Sequence, residues 1–180
     1  MTVSLELLFD AATERAIRDE WDALEAGGHS SLAAHRAPSN RPHLTLAEGA
    51  DEAEVDEIDW QRLTVPFAIT IGAPLLFGAG DRRVLARSVV PGAPLLDLHS
   101  GIHDRLSRSD PLSRPGEWMP HVTLARRLRL DSLADALGLV ADALGLVGGA
   151  LVGQAVAVRS WNTESRITRV HLGEATVRSE

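Results

Sequence analysis

Two hexapeptides, PHLTLA at residues 42–47 and PHVTLA at residues 120–125, recur 78 residues apart. No other feature constrains the fold as tightly. In an extended strand, residues two apart share a face. His43 and Thr45 therefore point one way, and Leu44 and Leu46 the other. His121 and Thr123 are set against Val122 and Leu124 in the same manner. The separation is too long for a hairpin but suits equivalent strands of two half-repeats. If the halves pack about a pseudo-twofold axis, both polar faces look into one cleft.

The remaining chain fits such halves. SLELLF (4–9) reads as a first strand, and AATERAIRDEWDALEAGG as a helix that stops at Gly27-Gly28. The acid-rich EGADEAEVDEIDW is a short helix or a solvated connection. VPFAITI (65–71) and RRVLARSVV (82–90) have strand character, and Leu95, Leu98, Ile102 and Leu106 mark an amphipathic helix. After the second motif come a helix in DSLADALGLVADALG, then strands in GQAVAVRSW and SRITRVHLGEATV. The pattern predicts an α+β fold. It should be bilobal, with pseudo-twofold, duplicated strand–helix–strand halves, antiparallel sheets lining a central cleft and helices outside. No composition shift separates the halves, so one domain over 1–180 is expected, with a shared core of adequate size.

Composition excludes several chemistries. The chain has no cysteine and all 18 of its basic residues are arginine. Thiolate zinc sites, cysteine or lysine nucleophiles and phosphate-loop lysines are thereby ruled out. MTVSLELLFDAATE lacks the basic start of a signal peptide, and Asp135 and Asp142 interrupt the apolar stretch 133–158. A cytoplasmic protein without a membrane span is expected. The net charge of −7 is uneven: residues 1–60 carry −10 and residues 61–180 carry +3. An extended double-stranded nucleic acid would want a basic stripe, and none is visible. A phosphate-bearing partner is then a small nucleotide or a nucleic-acid end, bound by a monomer.

A lone His-x-Thr on a half-exposed strand means little. Its duplication means more, because a structural strand has reason to repeat leucine and alanine but not exposed histidine and threonine. Two imidazoles can hold one base and one acid near neutral pH. Displacement at phosphorus needs both: the nucleophile is deprotonated on one side and the leaving oxygen protonated on the other. Two hydroxyls can donate to the non-bridging oxygens, where charge develops. No carboxylate cluster accompanies either motif, so no metal and no cofactor are called for.

The pair PHLTLA and PHVTLA resembles the two His-x-Thr-x signatures of the two-histidine (2H) phosphoesterase superfamily, in its 2′,5′-RNA ligase-like, cyclic phosphodiesterase branch. VPFAITIGAPLLFGAGDRRVLARSV and LLDLHSGIHDRL are similar to that family's central strands and following helix, so the likeness covers about residues 40–130. It implies a metal-independent site that opens 2′,3′-cyclic phosphates or acts on 2′-linked phosphodiesters of nucleotides or RNA ends. His43 and His121 carry over as acid and base, and Thr45 and Thr123 as phosphate-oxygen donors. Some relatives have an arginine three places after the second threonine, here Arg126. Strict alternation puts Arg126 on the wrong side and Arg127 with the histidines, unless a bulge intervenes. Both stand as candidate phosphate ligands.

Other residues carry weaker expectations. His99 and His103 have the i, i+4 spacing of metal ligands, but ordinary amphipathic positions explain them. His171 reads as solvent-facing, and FGAGD (77–81) as a turn. Phe77, Trp118 and Trp161 could form a base-stacking wall, with core packing the plainer reading. Two rival functions stay open: a non-catalytic nucleotide-binding module using the same cleft, and a metallohydrolase built on His43, His121 and His99.

Overall fold

The computed structural model describes residues 2–143 and 150–174. Its strands are β1 (Thr2–Phe9), β2 (His43–Asp51), β3 (Phe67–Phe77), β4 (Arg82–Val89), β5 (His121–Arg129), β6 (Leu151–Asn162) and β7 (Ile167–Gly173). Its helices are α1 (Ala11–Ala26), the short α2 (Glu52–Asp56), α3 (Ala93–His103) and α4 (Leu133–Ala143). The end of the predicted fourth helix, beyond Ala143, and that of the last strand, beyond Glu174, lie outside the described residues. Every strand pairing is antiparallel, in the order β1-β2-β5-β4-β3-β6-β7, and β1 also pairs with β6. Six strands therefore close on themselves while β7 extends from β6. The α+β class and the duplicated halves expected from the sequence are both present.

The duplication is visible in the register. Leu8↔His43, Leu7↔Leu44, Glu6↔Thr45 and Leu5↔Ala47 in one half match Ser88↔His121, Arg87↔Val122, Ala86↔Thr123 and Leu85↔Ala125 in the other. The irregularities repeat as well: each motif strand is bulged at the same place, past Ala47 and past Ala125. The left-handed position of that bulge is Gly49 (φ 71°) in β2 and Arg127 (φ 62°) in β5. Two pairings map onto themselves, Leu44↔Val122 between the motif strands and Ile69↔Gly153 between the long strands β3 and β6. These mark the pseudo-twofold axis. VPFAITI is thus only the first part of a longer strand, which pairs with β6 up to Ile71 and with β4 from there on.

Helices cover one face of the sheet. Ile17, Trp21 and Leu24 of α1 and Leu95, Leu98 and Ile102 of α3 join Leu44, Leu46, Val122 and Leu124 in a continuous core. Asp10 starts α1 by accepting hydrogen bonds from the amides of Ala12 and Thr13, and it also accepts from Gln154 N of β6. One carboxylate thereby caps the helix, worth about 1 kcal/mol, and ties it to the sheet. Gly153 permits the close approach, since a Cβ there would stand 1.8 Å from Thr13 Oγ1. Inside this core lies a buried ion pair: Arg87 Nε donates to Glu20 at 2.9 Å, and Arg87 also donates to the carbonyls of Gly72 and Val140. Among the described residues, no helix is long and apolar enough to cross a membrane.

Candidate active site

The other face of β2 and β5 carries His43, Thr45, His121 and Thr123, each half-buried, while the alternating leucines and valine are fully buried under the helices. Since Leu44 lies opposite Val122 in an antiparallel pair, His43 falls beside Thr123 and Thr45 beside His121. The two histidines become diagonal neighbours, which in such a ladder stand about 7–8 Å apart. Two imidazoles at such a spacing can address one small group from both sides.

Both imidazoles are held in the same way. His43 Nδ1 lies 2.7 Å from the carbonyl of Arg41, and His121 Nδ1 lies 2.7 Å from the carbonyl of Met119. A carbonyl oxygen only accepts, so Nδ1 carries the hydrogen, and Nε2 is the nitrogen each ring leaves uncommitted to that bond. Each bond reaches back across the motif proline, which links Pro42 and Pro120 to the orientation of the ring that follows.

The threonines are anchored through their own carbonyls. Trp118 Nε1 donates to Thr45 O at 3.0 Å, and Trp21 Nε1 donates to Thr123 O at 3.1 Å. Each indole comes from the opposite half, so each half helps fix the other's motif. Trp118 is itself stacked on His99, with ring centroids 3.8 Å apart and 3° between planes. His103 Nε2 donates to Leu46 O at 3.0 Å, one residue further along β2.

The surroundings of the two rings differ. His43 Nε2 is 3.6 Å from Glu6 Oε1, whereas the ring of His121 packs against Phe77 with centroids 4.6 Å apart. Glu6 is buried, and its other oxygen accepts from Arg159 Nε at 2.8 Å.

A sequence model of the 2′-5′ RNA ligase superfamily matches residues 13–147. The chain belongs to that superfamily, a group of 2H phosphoesterases. Its fold is similar to that of Kluyveromyces marxianus Usb1, with a TM-score of 0.56 and 18% identity over 92% of this chain and 95% of that one. The same protein solved with uridine monophosphate matches with a TM-score of 0.53, 16% identity and the same coverage. E. coli LigT complexed with NADP+ matches with a TM-score of 0.51, 18% identity over 94% of this chain and 92% of that one. No curated protein sequence matches the chain.

In this 2H family member, Arg126 and Arg127 form the bulge that strict alternation lacked. It spans the gap between the pairs Leu85↔Ala125 and Arg83↔Leu128, and both side chains are exposed. Among the described residues neither guanidinium takes part in a hydrogen bond or ion pair. Their carbonyls accept from Ser30 Oγ and from Arg82. The bulge leaves two solvated cations just past the second motif. In the first motif the same positions are Glu48 and Gly49.

The i, i+4 histidines have structural partners. His99 is buried, its Nε2 donates to Ser113 O at 2.9 Å, and burial pushes its pKa down to about 4. Burial also holds His103 below the ordinary imidazole value. Both rings are on the helix-covered side of β2, so His99 does not join His43 and His121. Among the described residues no three His, Cys, Asp or Glu side chains are grouped to hold a metal ion. His171 corrects the expectation of a solvent-facing ring: it is half-buried, stacks on Trp60 at 4.8 Å and lies 2.9 Å from Ser160 Oγ. The connection through Trp60 covers the end of β7, which alternation within β7 could not reveal. Trp118 packs against the core, as the plainer reading had it.

Sequence reasoning missed Glu6 and Arg159. Each is a lone charge within an otherwise apolar strand segment, in SLELLF and AVAVRSW. That signal was available, since a buried charge must find a partner.

Proposed function

We propose that the protein is a metal-independent phosphodiesterase acting on a 2′,3′-cyclic phosphate or a 2′-linked phosphodiester of a nucleotide or RNA end. The observation that carries this reading is the self-mapped Leu44↔Val122 pairing, which gathers two equivalent histidines and two equivalent threonines on one open face. One imidazole takes a proton at Nε2 from water or a ribose hydroxyl as the O–P bond forms. The other gives its Nε2 proton to the oxygen that leaves. Thr45 and Thr123 donate to the non-bridging oxygens, which gain charge in the transition state. Arg126 and Arg127 attract the phosphate from beyond the second motif.

Superfamily membership supports phosphoester chemistry, and the similar Usb1 and LigT structures contain uridine monophosphate and NADP+. Both ligands are nucleotides. The uneven charge, with the cationic excess outside the first 60 residues, favours a small nucleotide or RNA end over an extended duplex. The protein acts as a single cytoplasmic domain and as a monomer. The test is turnover of 2′,3′-cyclic nucleotides by untagged protein in excess chelator, with products identified by phosphate position. Tight binding without turnover on a panel of cyclic nucleotides and cyclic-phosphate RNA ends would make the cleft a receptor site instead.

A further inference from the structure

The register symmetry lets each residue of the cleft be compared with its counterpart. The motif histidines and threonines match across the two halves, but a pairing beside them does not. Glu6↔Arg159, beside the first motif, corresponds to Ala86↔Leu75 beside the second. Glu6 lies opposite Thr45 in β1–β2, as Ala86 lies opposite Thr123 in β4–β5, so both share the histidine face. One wall of the cleft carries a buried ion pair where the other carries two apolar side chains.

The ion pair is oriented. Arg159 Nε and Nη2 engage Glu6 Oε2 at 2.8 and 2.7 Å, and Arg159 Nη2 also donates to Ser39 O at 2.8 Å. Glu6 and Arg159 are only 5% and 6% exposed, so neither swings out into water. Oε1 keeps spare acceptor capacity: its neighbours are Ser4 Oγ at 3.4 Å and His43 Nε2 at 3.6 Å. His43 Nδ1 is committed to Arg41 O, so a proton directed at Oε1 would be the one on Nε2. His121 Nε2 has no equivalent carboxylate, because Ala86 occupies that place and Phe77 packs on the ring.

We infer that Glu6, clamped by Arg159, is a positioning residue that makes the cleft directional, holding His43 as the proton donor to the leaving oxygen and leaving His121 to accept the nucleophile's proton. This rests on the phosphodiesterase reading. In the step so directed, the nucleophile's O–H proton passes to His121 Nε2 as its oxygen bonds to phosphorus. The P–O bond on the His43 side breaks, and its oxygen takes the proton from His43 Nε2. Glu6 keeps the ring aimed and faces Nε2 before transfer, without touching substrate.

The test compares nucleoside 2′-phosphodiesters whose leaving alcohol is either methanol or 4-nitrophenol, since nitrophenolate departs without a proton. His43→Ala should lose about 10²- to 10⁴-fold on the methyl ester but less than about tenfold on the nitrophenyl ester. His121→Ala should lose comparably on both. Glu6→Gln, which keeps the shape beside Arg159, should follow His43, losing about tenfold on the methyl ester and under about twofold on the nitrophenyl ester. Equal losses for Glu6→Gln on both esters would reduce it to a structural role and overturn the inference. A reversed pattern for the two histidine variants would do the same, even if Glu6→Gln failed to fold. Wild-type protein that cleaves neither ester nor a cyclic phosphate would instead overturn the phosphodiesterase reading beneath it.

Discussion

Leu44 and Val122 face each other at the bridge between the motif strands, both fully buried, and their pairing sets the two histidines and two threonines side by side on the open face. The apolar pair lies on the helix-covered side, while its neighbours, one residue away on each strand, are the histidines and threonines of the open face. Changes on the open face should therefore alter activity with little effect on folding.

His43→Ala and His121→Ala should each lower turnover on a cyclic phosphate by about two to four powers of ten, the usual contribution of a positioned acid or base. The double variant should lose less than the product of the two, because groups acting in one concerted transfer are not additive. Steady-state rates with thermal denaturation alongside would check this. Full activity in both single variants would mark the motifs as structural strands.

Thr45→Val and Thr123→Val retain shape and remove one donor each. Loss of such a donor should cost about one to three powers of ten, chiefly in kcat. A change confined to KM would show that the hydroxyls bind ground state and transition state alike.

Arg127 holds a left-handed backbone that Gly49 adopts at the equivalent position. Arg127→Gly should relieve about 1–2 kcal/mol of strain while removing a cation beside the cleft. Urea titration should show a stabler protein, and the KM for a phosphodiester should rise. A destabilised variant would show that the bulge depends on the arginine itself.

Stability should fall as the medium is acidified below neutrality. Burial depresses the folded-state pKa of His99 to about 4, so between that value and the unfolded value near 6.5 the unfolded chain binds more protons. The stabilisation is full above about 6.5 and is lost as pH falls, by on the order of 3 kcal/mol in all. His103 is shifted in the same direction. Denaturant midpoints between pH 7.5 and 5 would record the slope, and His99→Gln should flatten much of it. An unchanged slope in that variant would assign the loss to other groups.

Arg87→Met should be among the most damaging substitutions in the core. It leaves Glu20, which is fully buried, without its counter-charge, and burial already raises that carboxyl's pKa. Removing one partner of such a pair costs about 3–5 kcal/mol, whereas a well-packed apolar replacement of both can be neutral. Denaturation of Arg87→Met and of Arg87→Met/Glu20→Leu would separate the two effects.

The sequence alone determined the α+β class, the duplicated halves and the common face of the four motif residues, because each rests on a local regularity. Alternation with a period of two assigns faces within a strand, and a repeated hexapeptide assigns equivalence between strands. Helix α1 was legible for the same reason, from its spacing and its Gly27-Gly28 stop. What tertiary structure decided lies between elements. The bulge at Arg126 and Arg127 arises from pairing with β4, so alternation along β5 could not place either side chain. Trp118 and Trp21 act on carbonyls 73 and 102 residues away, and His171 is covered by a connection far from it in sequence. Glu6 meets Arg159 across 153 residues, through register alone. A strand's own sequence fixes which way its side chains point, but only its partners fix what those side chains meet.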